Sequence, residues 1–285
     1  MKFYNHIYLG ALVLSTGLIG CSAEDGGYYE EEAVEALDLL TENIGELNSC
    51  SFTLSATEET LEDGQEWVST NKETDAYING ADQMYFYTKS ENGRRGFWIN
   101  EGELSIFLFN ENKYQIKQVP KNLLRTMDSI NGNFKFNFPA ADFFYPSLTD
   151  DLIAFSDSLF INEDKTIDGQ VCKEIFAKGD GKEIFILMDA ETNLPKQLEI
   201  YDFGAEGLEK TYVASFSNWK EDPKLPAKLF AFTPPENAVE SVILKKWMPK
   251  KNTAPGVADA PGGGDSRSKS EKSEKSLLVG TSTHI

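Results

Sequence analysis

The sequence predicts an α+β fold in which one long antiparallel sheet dominates and a few helices pack on it. Three observations lead there. One stretch near the start repeats its apolar residues at helical spacing. From Ser51 onward the period falls to two with glycine-centred turns, and a single helical interruption divides that run of strands. With 285 residues, 40% of them apolar and 12% aromatic, the chain suffices for one sizeable domain with a real core.

Residues 1–20 stand apart. Lys2 is followed by an apolar or small run from Ile7 to Ile19, too short to span a bilayer and of the length of a secretory h-region. The run ends in Leu18-Ile19-Gly20-Cys21, which resembles the lipobox of bacterial lipoproteins. That resemblance implies cleavage before Cys21 and acylation of this residue. Several acyl chains, at ~0.8 kcal/mol per buried methylene, would then hold a soluble domain at a membrane. Residues 21–28 read as a lipidated, acidic tether.

Tyr29 to Leu47 has Ala33, Leu37, Leu40, Ile44 and Leu47 on one helical face, and glutamates in its first turn suit the helix dipole. Strands are expected near 51–60, 66–78, 83–90, 95–100, 103–109 and 113–118, joined by turns such as Glu91-Asn92-Gly93 and Asn100-Glu101-Gly102. Asn122 to Ile130 returns to helical spacing, and Pro139 to Phe155 predicts two short helices broken at Pro146. Strands resume near 158–166, 170–177, 182–189, 194–202 and 208–219, for about eleven in all. Residues 249–285, rich in Pro, Gly, Ser and Lys, read as a disordered tail, which leaves 29–248 as the domain.

Charge and composition exclude several classes of function. With 27 basic and 46 acidic residues the chain carries −19, and its expected domain has only three arginines, at 94, 95 and 125. Nucleic acid is not an expected partner. His6 lies in the leader and His284 in the tail, so the domain has no imidazole for a Ser-His-Asp or Cys-His site, an HExxH motif or a histidine zinc site. No cofactor or metal is expected; Asn162, Asp164 and Asp168 depart from the calcium-loop pattern and read as solvated turn residues. The chain is expected not to be an enzyme, a carboxylate-based glycan hydrolase being the remote alternative.

Export to an oxidising compartment leaves Cys50 and Cys172 either paired or as two separate buried thiols. A bridge would remove roughly 5 kcal/mol of unfolded-state entropy on the chain-entropy model.

Several strands are apolar on both faces, so each face is covered or one of them lines a cavity. The candidate cavity residues are Tyr85, Tyr87, Trp98, Phe107, Phe109, Phe143 and Phe144, with burial in an ordinary core as the competing reading for each.

In order along the chain, Phe138-Pro139-Ala140-Ala141-Asp142-Phe143-Phe144, Asp168-Gly169-Gln170-Val171-Cys172, Asn193-Leu194-Pro195-Lys196 and Phe232-Thr233-Pro234-Pro235 resemble a family of predicted bacterial periplasmic proteins related to the LolA/LolB lipoprotein carriers. Lys173-Glu174 stands where that family has an acid-histidine flavour after the Cys. The resemblance covers about residues 30–245. It implies an incomplete barrel, a strongly curved antiparallel sheet wrapping helices around a hydrophobic hollow.

The expected function is that of a non-catalytic, lipid-anchored envelope protein that holds a hydrophobic or amphiphilic ligand. The alternative is a sensor or interaction module that binds a protein partner. Ser22 after Cys21 favours the outer membrane, facing the periplasm, while Ser22-Ala23-Glu24-Asp25 also looks like an export signal to the cell surface.

Overall fold

The computed structural model describes residues 27–62, 66–134, 136, 138, 140–204 and 207–245, with no side chains described at 60–67 and 204–210. The leader, Cys21 and the expected tail lie outside the described residues.

One 14-stranded sheet forms the body. Tyr28–Tyr29 (β1) precedes the helix Glu31–Glu46 (α1). The strands Ser49–Glu62 (β2), Glu66–Asn79 (β3), Gln83–Ser90 (β4), Gly93–Asn100 (β5), Glu103–Leu108 (β6) and Lys113–Gln118 (β7) then form one meander. Helix Leu123–Phe134 (α2), a 3₁₀ turn at Ala141–Phe144 and helix Leu148–Phe155 (α3) follow. After them come Ser158–Ile161 (β8), Lys165–Ile167 (β9), Gln170–Gly179 (β10), Lys182–Asp189 (β11), Pro195–Gly204 (β12), Gly207–Glu221 (β13) and Val239–Glu240 (β14).

The strand order is β1-β8-β10-β11-β12-β13-β2-β3-β4-β5-β6-β7-β14, with β9 also paired to β10. The two meanders thus meet where β13 pairs antiparallel with β2. The sheet is strongly curved and open, as expected. Register shifts at Leu187/Met188, Ile200/Tyr201 and Ser217/Lys220 place bulges near the junction, and bulges bend a strand and raise its twist.

The hairpins have their expected chemistry. Glu101-Gly102, Asp168-Gly169 and Asp180-Gly181 each place two successive residues at positive φ, as a two-residue turn of the primed type requires. The expected break at Pro146 separates the 3₁₀ turn from α3.

The strand expected over 158–166 is instead two, β8 and β9. Between the pairs Ile161–Ile175 and Lys165–Cys172 the β8–β9 side has one residue more than β10, so the regular ladder breaks after Asn162, whose main-chain N–H still donates to the Glu174 carbonyl and whose Nδ2 donates to the Glu174 carboxylate, each at 2.8 Å. β1 and β14 were not expected, since a two-residue bridge has no periodicity. They pair parallel with β8 and β7 and cap the two ends of the sheet, where unpaired edges invite association with other chains.

α1 buries Ala33, Ala36, Leu37, Leu40 and Ile44, close to the predicted stripe, against β8, β10 and α3. No helix among the described residues is long and apolar enough to cross a membrane.

Candidate ligand-binding faces

Strand alternation divides the apolar residues into two populations. Phe52 and Leu54 of β2, Met84 and Phe86 of β4, Phe97 and Ile99 of β5 and Phe216 of β13 join the main core on the side that carries the helices. This inner face is covered partly by the irregular run between α2 and α3. Phe136 stacks on Phe97 at 5.0 Å, Phe138 meets Phe86 edge-on at 6.1 Å, Phe144 stacks on Phe52 at 6.1 Å, and Phe143 meets Phe216 at 90° and 5.5 Å. Ala140 sits at φ 55, in the left-handed region, and turns the chain so that Phe143 and Phe144 can reach the sheet. Phe143 is fully buried, whereas Phe134, Phe136, Phe144 and Tyr145 are half-buried and form an apolar rim.

Toward the strand ends the inner face turns polar. Lys72 pairs with Glu58 at 2.8 Å, and the hydroxyls of Thr74 and Thr88 are 2.9 Å apart. Burial first, then the carboxylates of Glu58 and Asp142, push the Tyr212 phenol up. The Tyr145 phenol is raised by burial and by the hydrogen bond that it donates to Asp128 at 2.9 Å.

The opposite, outer face carries its own rings. Tyr77 stacks on Tyr85 at 5.8 Å, Tyr85 on Trp98 at 4.8 Å, and Phe232 lies over Trp98, Phe107 and Tyr114 at 4.8, 5.9 and 6.0 Å. Tyr87 and Phe107 both meet Phe109 edge-on. Gly96 makes room for the Trp98 indole, because a Cβ there would collide with the ring. Burial, then Tyr87, Tyr77 and Asp75, raises the Tyr85 phenol to about 12.

Phe232 belongs to a strap, residues 223–244, that wraps the β7 end of the sheet. Asp222 Oδ1 accepts the N–H groups of Asn48 and Ser49 where the strap begins. Val239 and Glu240 pair with β7, and Gln115 Oε1 accepts the N–H groups of Ile243 and Leu244 at 3.0 and 2.8 Å.

The seven candidate cavity residues therefore do not come together. Tyr85, Tyr87, Trp98, Phe107 and Phe109 lie on the outer face, and Phe143 and Phe144 lie on the inner one, with the sheet between them. Period two states which residues share a face; it does not state which face the helices cover. Phe52, Phe97, Phe136 and Phe216, the inner partners, were missed. The signal for them was the Phe-x-Phe-x-Phe spacing of 134, 136 and 138 beside the Pro-x-x-Asp run.

Cys50 and Cys172 are free and buried. They stand on β2 and β10, four strand steps apart in the order β10-β11-β12-β13-β2, far beyond the reach of a disulfide. Burial, then Asp222, raises the Cys50 thiol to about 12; burial, then Asp189, raises that of Cys172. Of the two readings of this pair, the structure has the two separate thiols.

A second array of rings lies on the outer face of β8, β10, β11 and β12, running from Tyr28 through Phe160, Phe176 and Phe185 to Tyr201. Within it Glu174, only 3% exposed, is ion-paired with Lys165 and accepts from Asn162 Nδ2. A groove of about 530 Å³ crosses the same face farther on, lined mainly by polar and charged residues, Ser55, Thr57, Asn71, Glu73, Lys89 and Ser215 among them. No group of three or more His, Cys, Asp or Glu side chains among the described residues could hold a metal ion.

Comparison with known proteins places the chain. Residues 33–243 match the family described as predicted periplasmic protein (DUF2092). The chain belongs to that family. The match covers most of the span on which the sequence resemblance rests. No curated protein matches.

Among solved structures, the chain is similar to the Pseudomonas aeruginosa MucA/MucB complex, with 13% identity over 71% of this chain and a TM-score of 0.40. It spans 61% of that matched chain. It is also similar to the lipoprotein LppX from Mycobacterium tuberculosis, with 8% identity over 69% of this chain and 98% of that one, at a TM-score of 0.43. A LolA superfamily protein from Nitrosomonas europaea matches with 10% identity over 70% and 97% of the two chains, at a TM-score of 0.31.

Proposed function

We propose that the protein is a non-catalytic, lipid-anchored component of the bacterial envelope that takes an apolar or amphiphilic ligand, a lipid or acyl chain, on the inner face of its sheet. One observation carries this reading. The inner face is closed over Phe52, Phe86 and Phe97 by an irregular run of rings, Phe136, Phe138 and Phe144, rather than by a continuous helix. Hydrophobic burial is non-directional and the ring-pair geometry adds only about 0.5–1.5 kcal/mol to it, so a ligand tail can replace Phe144 on Phe52 while the helices keep their places.

The polar strand ends around Glu58, Lys72 and Tyr212 would face the head of an amphiphile. Acylation of Cys21, in the Leu18-Ile19-Gly20-Cys21 sequence, supports attachment to the outer membrane on its periplasmic side. The family description as periplasmic agrees with that compartment.

The test is native mass spectrometry of the chain from residue 22 onward, purified from membrane-containing cells, with lipid analysis of a solvent extract. A stoichiometric lipid-sized adduct that is lost in Phe144→Asp is the expected result. An apo mass in a folded protein overturns the ligand reading.

A second reading has its own observation. The outer groove over Ser55, Asn71 and Glu73 is open and most of the residues that line it are polar or charged, which offers an extended polypeptide hydrogen-bond partners that an acyl chain cannot use. Capture of a protein partner, lost on substitution of Asn71 and Glu73 and accompanied by no lipid, would favour it.

A further inference from the structure

The two ring arrays of the outer face differ in what covers them. The strap lays Phe232 over the Trp98 array, whereas the array that begins at Tyr28 leaves the rings at its two ends, Tyr28 and Phe203, exposed. Tyr28, Ser158, Lys178, Glu183 and Tyr201 are successive Cα partners, so they form one row across five strands. At ~4.8 Å per strand the row is roughly 19 Å wide.

Around the row, rings follow one another at 6.4 Å (Tyr28–Phe160), 4.8 Å (Phe160–Phe176), 5.0 Å (Phe176–Phe185) and 5.6 Å (Phe185–Tyr201). Both ends are open to solvent, with Tyr28 61% and Phe203 48% exposed. The Lys178 ammonium sits 4.7 Å from the Phe203 ring centroid, and that of Lys165 sits 5.8 Å from Phe185.

Cys21 precedes Tyr28 by seven residues, and seven residues reach at most about 25 Å. On the reading that Cys21 is acylated, Tyr28 can never be far from the bilayer surface. We propose that the outer face of β8, β10, β11 and β12 is the membrane-facing surface of the protein, with Tyr28 and Phe203 at the level of the lipid headgroups.

Tyrosine and exposed phenylalanine flanked by lysine stems suit that layer, where an apolar body meets a polar boundary. Lys178 is paired with Glu183 and Lys165 with Glu174, so both lysines that lie over its rings are neutralised and the face fits a zwitterionic surface rather than an anionic one. The short tether makes contact nearly intramolecular, so a face too weak to recruit the protein alone still docks once anchored.

The test separates this orientation from the anchor itself. The chain beginning at Cys21 is coupled through that thiol to a maleimide-headed phospholipid in phosphatidylcholine vesicles; Cys50 and Cys172 are buried and spared. One tryptophan is added by Phe203→Trp or, as control, by Val171→Trp, at an exposed site seven residues from Lys178 along β10 and so roughly 23 Å away. Lipids brominated near the headgroup should quench the emission added at 203 severalfold more than that added at 171. Equal quenching at the two sites, or none at 203, overturns the proposal. Whether cells acylate Cys21 is read separately from the mass of the full cell-derived chain, so failure of the anchor reading and failure of the orientation give different results.

Discussion

Phe144 lies against Phe52 with ring centroids 6.1 Å apart and planes inclined by 19°, while its neighbour Phe143 meets Phe216 at a right angle. Two adjacent rings on one 3₁₀ turn thus have different duties. Phe143 is wholly enclosed and fills the core; Phe144 is half-buried and caps it. Phe143→Ala should cost about 3–5 kcal/mol of folding free energy, the range for an enclosed phenylalanine. Phe144→Ala should cost less and should expose Phe52, so that the folded variant binds an apolar reporter dye more strongly than the parent. Urea unfolding and dye titration check the two outcomes.

Gln115 is the fastening of the strap. Its side-chain oxygen serves two buried main-chain donors, those of Ile243 and Leu244, and Gln115→Ala leaves both without that acceptor. Each buried unsatisfied donor costs about 1–3 kcal/mol. The expected result is faster amide exchange at residues 243 and 244 with exchange in α1 unchanged; equal acceleration in both would show that the strap is not a separate unit.

Glu174 and Lys165 form an ion pair in which one partner is enclosed and the other half exposed. Removing only the lysine strands a buried carboxylate, so Lys165→Met should destabilise more than the double change Lys165→Met with Glu174→Gln, in which the charge goes too. The gap should be on the order of 1–3 kcal/mol, below the full cost of breaking a wholly buried pair. A double-mutant cycle by denaturant unfolding measures it.

The thiols make stability depend on pH in the alkaline range. Burial holds the Cys50 thiol at about 12 against an ordinary value of 9.0, so between those values the unfolded chain loses its proton while the folded one keeps it. Folding stability should therefore be unaffected by this group below pH 9 and should fall as pH rises from there toward 12. Cys50→Ala should remove that part of the slope. At pH 8 a thiol reagent should modify neither Cys50 nor Cys172 in the folded domain, both in urea, and reductant should leave the unfolding midpoint unmoved.

Much of the sheet was legible because a strand advertises itself twice, by alternation and by the turn that ends it. Glu101-Gly102 and Asp180-Gly181 sit at positive φ where the sequence placed turns, and the strands between them begin and end within a few residues of expectation. Which face is inside was not legible. Met84-Tyr85-Phe86-Tyr87 is apolar on both sides, and which side the helices cover is settled by contacts such as those of α1 with β8 and β10, more than a hundred residues away in sequence. The bridges at Tyr28 and Val239 were invisible for another reason: they are tertiary contacts of terminal segments and leave no local pattern. The strand expected over 158–166 is split by one extra residue opposite β10, which alternation along the strand itself does not mark.

The claim that the ligand seat is on the inner face is tested most directly by photo-crosslinking a diazirine-bearing fatty acid to the folded domain and mapping the adducts. The account predicts adducts on Phe144, Phe136 and the strand residues beneath them, around Phe52, with none on the outer rings beneath the strap. Adducts concentrated on Tyr85, Trp98 and Phe232 would contradict it and would move the seat to the face beneath the strap.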